Sequence, residues 1–548
     1  MKIKKYLSVA IGILESIEQK PHHQDADGAY EAISQLEEYL SDKGLSFKED
    51  SPCDMPSGLA DVTVLNQDNK GIIAKVKFFP MKDSDTLESF STLDGQINFI
   101  QTYTQPDGTL TTHLPIPTGT LGKYFVEISK GSEYEIIKTE LHVSVNQEAI
   151  LKQTLHRIVD MQTLGWHPGD LHHHSIFSSP VHGGTDDVIE SHLEVAYSMQ
   201  AAGLTYGALS DHHNTLNHSE WQQTISPDFL PIISKEISTS NGHVMSLNVP
   251  TDVIYDIPSD EHRSEEFLRT EFYRITDEIK SQGGLAQLNH PTDLSPAISL
   301  NPKFKDMIEV FDTMEIWNGS NPMSYGTTNH TAALLWISLL EEDRFIPATS
   351  GSDTHNTASN DYNTMLDRLT WLIDTVKTAF SSLPLELQEK ATSLIDLYDK
   401  TTPLLEKWAE HSLGSGCVKT YVYLDEKKSP HAILKGLRKG NSFLTNGPIL
   451  VPTIEGTRIG ETILVNNNHM NIDLKIISNR PLDHLYIYTN GGGCTQIPLI
   501  TKEPLSSKGF DYSQQIKDFN TEGIKWLFFV AASDFNTLAI TNPIFIKS

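Results

Sequence analysis

Between about residues 165 and 450, short apolar runs alternate with amphipathic segments, and most of the apolar runs end in a histidine or an acidic residue. Residues 205–210, 231–237, 285–289, 313–317 and 346–349 read as strands. Residues 186–202, 264–282 and 328–340 read as helices. The first of these has Thr185 as its cap, Asp186 and Asp187 at the positive end of its dipole, and Gly203 as its stop. Strands spaced by helices imply a mainly parallel sheet, and this many units in about 250 residues favour a closed or nearly closed β/α barrel.

The flanks have a different texture. Residues 1–50 read as helical and 51–150 as a small β-sandwich of short alternating runs, with 151–450 as the barrel and 451–548 as a second, C-terminal β-sandwich. Within the barrel, 360–413 breaks the rhythm with helical spacing on both sides of Leu383-Pro384, and reads as an inserted helical hairpin, either packing or a lid. At 548 residues the chain is too long for one core.

Composition narrows the chemistry. With 42 basic residues against 71 acidic, a net charge of -29, the surface repels phosphate backbones and anionic headgroups, so neither nucleic acid nor membrane is an expected partner. A short basic-then-apolar start lacks a small-residue cleavage site, and no run is long enough to cross a bilayer, which together predict a cytoplasmic protein. Three cysteines make neither a disulfide framework nor a thiolate metal site, whereas 23 histidines supply imidazole.

Those histidines fall at the predicted strand ends. His172 and His174, two apart in extended chain, share one side. Asp211-His212-His213-Asn214 follows one strand, Glu236 lies near the end of the next, His243 opens another segment, His290 ends 285–289, and Asp353-Thr354-His355 follows 346–349. Each signal is weak alone, since a buried histidine is usually a hydrogen-bonded loop residue. Their conjunction at one face of one barrel suits two or three divalent ions held by nitrogen and carboxylate. Lys235 points away from Glu236 in a regular strand, and Asp211 is expected to orient His212 or hydrogen-bond a water held at the ions. His213 and Asn214 either orient a leaving group or cap their loop; Asn318 and Asn446 either face substrate or serve turns.

The series Gly-Asp-Leu-His-His-His-Ser, Ser-Asp-His-His-Asn, Lys-Glu-Ile-Ser with Gly-His, Asn-His-Pro and Gly-Ser-Asp-Thr-His resembles the PHP (polymerase and histidinol phosphatase) metallohydrolases. The flanking Asn446-Gly447-Pro448 and Thr541-Asn542-Pro543-Ile544 resemble its CehA/McbA-like branch. The resemblance implies a distorted PHP-type barrel and a hydrolase in which a hydroxide bridging the metals attacks phosphorus or an acyl carbon. It implies zinc, manganese or iron, and a small-molecule substrate: a phosphoester or phosphodiester, or in the nearer branch a carbamate, ester or amide. It groups His172, His174, Glu236 and Asp353 around one ion, Glu236, His243 and His290 around a second, and His212 and His355 around a third. The third ion's remaining ligand is either His182, in Ser178-Ser179-Pro180-Val181-His182-Gly183, or missing. Asp211, His213 and Glu236 carry the catalytic expectation, and Asn214, Asn318 and Asn446 the substrate-binding one. The contrasting reading is a binding protein for a glycan or protein, with structural metal in a silent barrel.

Overall fold

The computed structural model describes residues 23–47, 56–82, 84–87, 99–116, 121–186, 188–239, 241–255, 264–293, 298–319, 327–355, 361–409, 414–465, 468–499, 509–534 and 537–547, with residues 7, 11, 14, 295 and 323. Of the expected helical segment 1–50, residues 1–22 lie outside them except for residues 7, 11 and 14.

The chain is mixed α/β with several sheets. After the helix His23–Asp42, strands β1 (Ser57–Leu65), β4 (Thr109–Pro115) and β7 (Glu148–Thr154) form one sheet. Strands β2 (Lys75–Pro80), β3 (Ile100–Tyr103), β5 (Lys123–Ser129) and β6 (Ile137–His142) form a second. Alternation along the strands supplies their common core: Ala60, Val62 and Val64 of β1 meet Val76 and Phe78 of β2 and Tyr124, Val126 and Ile128 of β5.

The site is carried by a longer sheet. Strands β8 (Trp166–Asp170), β9 (Tyr206–Leu209), β10 (Leu230–Thr239), β11 (Gly242–Leu247), β12 (Leu285–Asn289), β13 (Thr313–Asn318), β14 (Ala348–Gly351), β15 (Lys419–Tyr423) and β16 (Ser442–Thr445) pair in the order β14-β13-β12-β11-β10-β9-β8-β15-β16. Two departures from expectation stand out. First, the sheet is not mainly parallel: β11 runs antiparallel to both β10 and β12, and β15 antiparallel to β8 and β16. Only two residues join β10 to β11, which permits a hairpin and forbids the crossover that parallel pairing needs. Second, the named strands alone do not pair full circle: β14 meets β8 and β15 through the isolated parallel bridge His173–Thr354, in which Asp353 N donates to His172 O and His174 N to Thr354 O, and through a bond between the Ser350 and Thr420 hydroxyls.

The order continues past β16 into the C-terminal strands Thr537–Thr541 and Trp526–Asp534, so the two regions share cores. Trp336 and Met314 pack with Trp526 and Phe528, and Tyr421 and Phe443 with Ile472 and Phe529. Asn542 seals the joint: its amide bonds the N–H of Ala348 at 2.8 Å and the carbonyls of Ala348 and Ser442 at 3.0 and 3.1 Å.

The helix expected over 186–202 begins later, as His192–Ala201, because Ser191 and Glu194 form a capping box. Asp186 is thereby left in the preceding loop. The inserted segment forms helices Asp361–Ala379 and Leu385–Ala409, broken at Pro384 as the sequence suggests. Leu369, Leu372 and Ile373 pack against Leu36 and Leu40 of the helix His23–Asp42 and against Phe79 and Phe125.

Close approach fixes Gly169 in β8. A Cβ there would lie 2.1 Å from the ring of Tyr206, which is fully buried and donates its hydroxyl to Thr420 O at 2.8 Å. Gly169→Ala is expected to cost about 1–3 kcal/mol of stability by overpacking, read as a lower midpoint in chemical denaturation.

Candidate metal centre

Glu236 is the hub. On β10 its side chain shares a face with Ser234 and Ser238, and it is 1% exposed. One carboxylate oxygen, Oε1, lies 3.0 Å from His243 Nδ1, 3.0 Å from His290 Nε2 and 2.8 Å from Asn289 Nδ2. The other, Oε2, lies 3.1 Å from His172 Nε2, 3.4 Å from His174 Nε2 and 3.5 Å from His212 Nε2. Asp353 Oδ1 is 3.2 and 3.0 Å from the same nitrogens of His172 and His174. Asp186 Oδ2 lies 3.5 Å from His212 Nε2 and 3.4 Å from His355 Nε2.

Three donor groups emerge, each with ligand atoms within 4.8 Å of one another: His172, His174, Glu236 and Asp353; His212, Glu236 and His243; and His174, Asp186, His212 and His355. The groups are able to hold metal ions, and all donors are imidazole nitrogen or carboxylate oxygen.

Neighbouring contacts prepare the nitrogens for that role. Ser178 Oγ has one proton and gives it to the Asp211 carboxylate at 2.9 Å, so it accepts from His174 Nδ1 at 3.1 Å. The lone pair of neutral His174 is therefore on Nε2, aimed at Asp353 and Glu236. His172 Nδ1 donates to Glu315 at 3.2 Å and His355 Nδ1 to the Asp353 carbonyl at 3.0 Å, again leaving Nε2 free. His174 Nε2 and Asp186 Oδ2 are buried without hydrogen-bond partners. Three carboxylates with Glu315 behind them and no Lys or Arg among these contacts demand positive charge. The residues present thus fit divalent cations.

Charge in the metal-free protein follows. Burial opposes it, but His172, His212 and His243 hold Glu236 well below the usual carboxylate range. Asp353 is likewise held well below it by His172 and His174, against its burial. Burial is outweighed at His174 by the nearby carboxylates of Asp353 and Glu236, which raise it to about 10, and His172 is also raised. At His212 burial prevails and lowers it to about 3. Protons on His172 and His174 occupy the electrostatic role a cation would take.

Backbone strain gathers here. His213, His290 and Asp353 have φ of 58°, 22° and 47°, a region unfavourable to residues with a Cβ.

Not every expected residue joins these groups. His182 is in none of the three donor groups: its ring sits 4.7 Å from that of Phe177, and Asp186 takes the place beside His212 and His355. Asp211 is fully buried and accepts from Ser175 N at 2.7 Å, the Ser175 and Ser178 hydroxyls and Asn217, so it positions His174 through Ser178 and does not hold the His212 ring. The His212 ring contacts Ser238 Oγ at 2.8 Å. Asn214 spends its amide on the carbonyls of Phe177 and His212 and accepts from Leu216 N, a loop-building role. Asn318 donates to Glu315 and Asp353 at 3.0 and 3.2 Å. Asn446 lines a separate cavity that includes none of the three donor groups. Lys235 does point away, to Asp252 and the Val253 carbonyl. His213 is half-buried beside His212, ring centres 5.7 Å apart.

Sequence reasoning missed Asp186, read as a helix-start charge, and Glu315. The signal for Glu315 was an acid inside the apolar run Thr313–Asn318. It also passed over Ser178 and Ser238, which carry no signal beyond their positions near the histidines.

No protein-family model matches the chain, and no curated protein matches it. Among solved structures, an amidohydrolase from Chromobacterium violaceum with bound sulfate and no metal matches at 16% identity and TM-score 0.24, over 36% of this chain and 96% of that one. The TIE protein of Bacillus anthracis matches at 15% identity and TM-score 0.13, over 25% and 20%. The 3-chlorocatechol 1,2-dioxygenase of Rhodococcus opacus 1CP matches at 13% identity and TM-score 0.15, over 20% and 63%. At these scores none bears on fold or function. Among the described residues no helix is long and apolar enough to cross a membrane.

The charge pattern predicts a pH signature. Because His174 stands at about 10 in the fold against 6.5 ordinarily, its stabilisation is complete below pH 6.5 and is lost as pH rises through about 10. Glu236 and Asp353, held low, stabilise above their ordinary values of 4.5 and 3.8 and lose this as pH falls. Chelated protein should therefore melt progressively lower from pH 6.5 to 10. Added zinc or manganese should stabilise it increasingly over the same range, as neutral imidazole becomes available. Thermal melts across pH with and without metal provide the check.

Proposed function

We propose that the chain is a metal-dependent hydrolase of the PHP type, its curled sheet a distorted version of that barrel, acting on a phosphoester or phosphodiester. The observation that carries the reading is the splitting of Glu236 between two sets of imidazoles, with His243 and His290 on Oε1 and His172, His174 and His212 on Oε2. A carboxylate so placed is suited to join two cation sites. Divalent ions bound there would supply Lewis acidity and make water a nucleophile at neutral pH.

The chain's own groups would do the rest. Glu236, Asp353 and Asp186 provide anionic ligands, and His172, His174, His212, His243, His290 and His355 provide neutral ones. Glu315 fixes the ring of His172, and Asp211 fixes that of His174 through Ser178. Asn318 restrains Asp353. Burial, followed by the nearby charges of Lys235 and His243, keeps His213 below its ordinary value, so at neutral pH it is uncharged and able to take or return a proton at the rim.

The fully buried placement of Glu236 and its ring of donors support a role in chemistry that the sandwich-binding alternative leaves unexplained. A carbamate, ester or amide is the other substrate chemistry such a centre can run, and parallel assays with aryl phosphate, aryl phosphodiester, aryl ester and aryl carbamate separate the two.

Glu236→Gln is expected to lose bound metal by elemental analysis and to reduce turnover of the preferred aryl substrate by about a hundredfold or more. Glu315→Gln should retain the fold and weaken metal affinity by about 10–100-fold, measured by competition with a chelator. Unchanged metal content and turnover in Glu236→Gln would overturn the assignment.

A further inference from the structure

Beneath the metal centre, one face of β12 changes character along its length. Leu285 joins an apolar floor with Met245, Leu247, Ala208 and Ile232, while Ala286 and Leu288 fill the core on the opposite face. Gln287 and Asn289 continue the face of Leu285, and both are polar with no exposed surface at all. Glutamine and asparagine are ordinarily surface residues, and an amide buried this deeply costs stability unless its groups are paired.

Their partners form a continuous chain. The hydroxyls of Thr349 and Thr313, also fully buried, donate to Gln287 Oε1 at 2.8 and 3.3 Å. Gln287 Nε2 donates to Asn289 Oδ1 at 3.0 Å, and Asn289 Nδ2 donates to Glu236 Oε1 at 2.8 Å. Strand register brings the members together: Gln287 of β12 lies opposite Thr313 of β13, and Thr349 of β14 lies opposite Glu315 of β13. Three strands thus feed one hydrogen-bonded chain that ends on a carboxylate carried by a fourth, β10.

The chain can run in one direction only. A carboxylate accepts and does not donate, so Asn289 must turn its NH2 group to Glu236. Its oxygen then faces Gln287, which must answer with its own NH2 group, and the Gln287 oxygen is left for the two hydroxyls. Turning over either amide alone would set like groups against each other. Among the described residues, Asn289 is also the one side chain contacting the Glu236 carboxylate that is not an imidazole.

We infer that Gln287 is a positioning residue for the metal centre: acting through Asn289, it holds Glu236 with Oε1 toward His243 and His290 and Oε2 toward His172, His174 and His212. This role rests on the metal-dependent reading proposed above, and it lies outside the three donor groups. Without it, the carboxylate would be oriented by its prospective co-ligands alone and would have to settle as the ions arrive. With it, the two oxygens are aimed in advance by a rigid, dry scaffold.

The test uses the intact protein with zinc and manganese as probes, their affinities measured by competition with a chelator. Gln287→Met, and Gln287→Met combined with Thr349→Val, should bind at least one metal equivalent about tenfold or more weakly than wild type. Thr349→Ser keeps the hydroxyl and should match wild type, whereas the equally sized Thr349→Val should weaken binding. The double variant, in which both ends of one hydrogen bond become apolar, should melt closer to wild type than Gln287→Met alone. A second readout needs no metal. In melts of chelated protein, Gln287→Met should lower the midpoint, and by at most about half as much when Glu236→Gln has removed the acceptor that sets the direction of the chain. Wild-type metal affinity in the double variant, or melting losses of Gln287→Met and Glu236→Gln that simply add, overturns the positioning role. Wild type that binds neither metal overturns the metal-dependent reading instead, and the chelated melts then decide whether Gln287 holds Glu236. If Gln287→Met does not fold, metal affinity in Thr349→Val against Thr349→Ser decides it.

Discussion

A single buried carboxylate organises the centre of this protein. Glu236 makes close contacts with five imidazoles and the Asn289 amide, and none of these partners lies on its own strand. They arrive from four other chain segments, so the sheet must curl until β8, β11, β12 and the loop after β9 all face inward. Burying such a charge costs the fold heavily unless every oxygen is compensated. Polar residues that appear peripheral are explained by this demand. Glu315, Ser178 and Ser238 touch the histidines from behind, Ser178 being held in turn by Asp211, and decide which nitrogen faces the carboxylates.

Much of this was legible in the sequence, for a physical reason. A strand that ends at an active face switches from apolar to polar at that end, so His172, His174, Glu236, His290, Asp353 and His355 announce themselves by position, and the structure links them through a chain of approaches between 3.0 and 3.8 Å. Strand direction was not legible. The apolar pattern of β10, β11 and β12 is the same whichever way they run, and only the two-residue connection betrays the hairpin. Asp186 was hidden because an acid before a helical stretch has an equally good reading as a dipole partner, which the capping box at Ser191 removes. The loop asparagines stayed ambiguous because the amide of Asn has the same chemistry whether it faces a substrate or a backbone carbonyl. In the structure Asn214 donates to the carbonyls of Phe177 and His212.

The helical insertion shows how distant pieces of chain share a core. Its two helices pack on the helix His23–Asp42, with Arg368 of the first reaching Glu37 at 2.8 Å and Lys390 of the second reaching Glu31 at 2.8 Å. Leu36 and Leu40 have their apolar neighbours in residues more than three hundred positions later. The helical hairpin is therefore anchored on the N-terminal region.

Asn542 has a temporal meaning as well as a spatial one. It ties down both backbone groups of Ala348, at the start of the strand that leads to Asp353, across 194 residues of chain. On a ribosome, β14 emerges long before that clamp, and contacts so separated in sequence form slowly. The nascent sheet must wait with the edge that leads to Asp353 incompletely fastened until the C-terminal strands have been made. Assembly of the centre is thus a late event in the life of each molecule, and premature truncation in this region removes the fastening while leaving every candidate ligand in place.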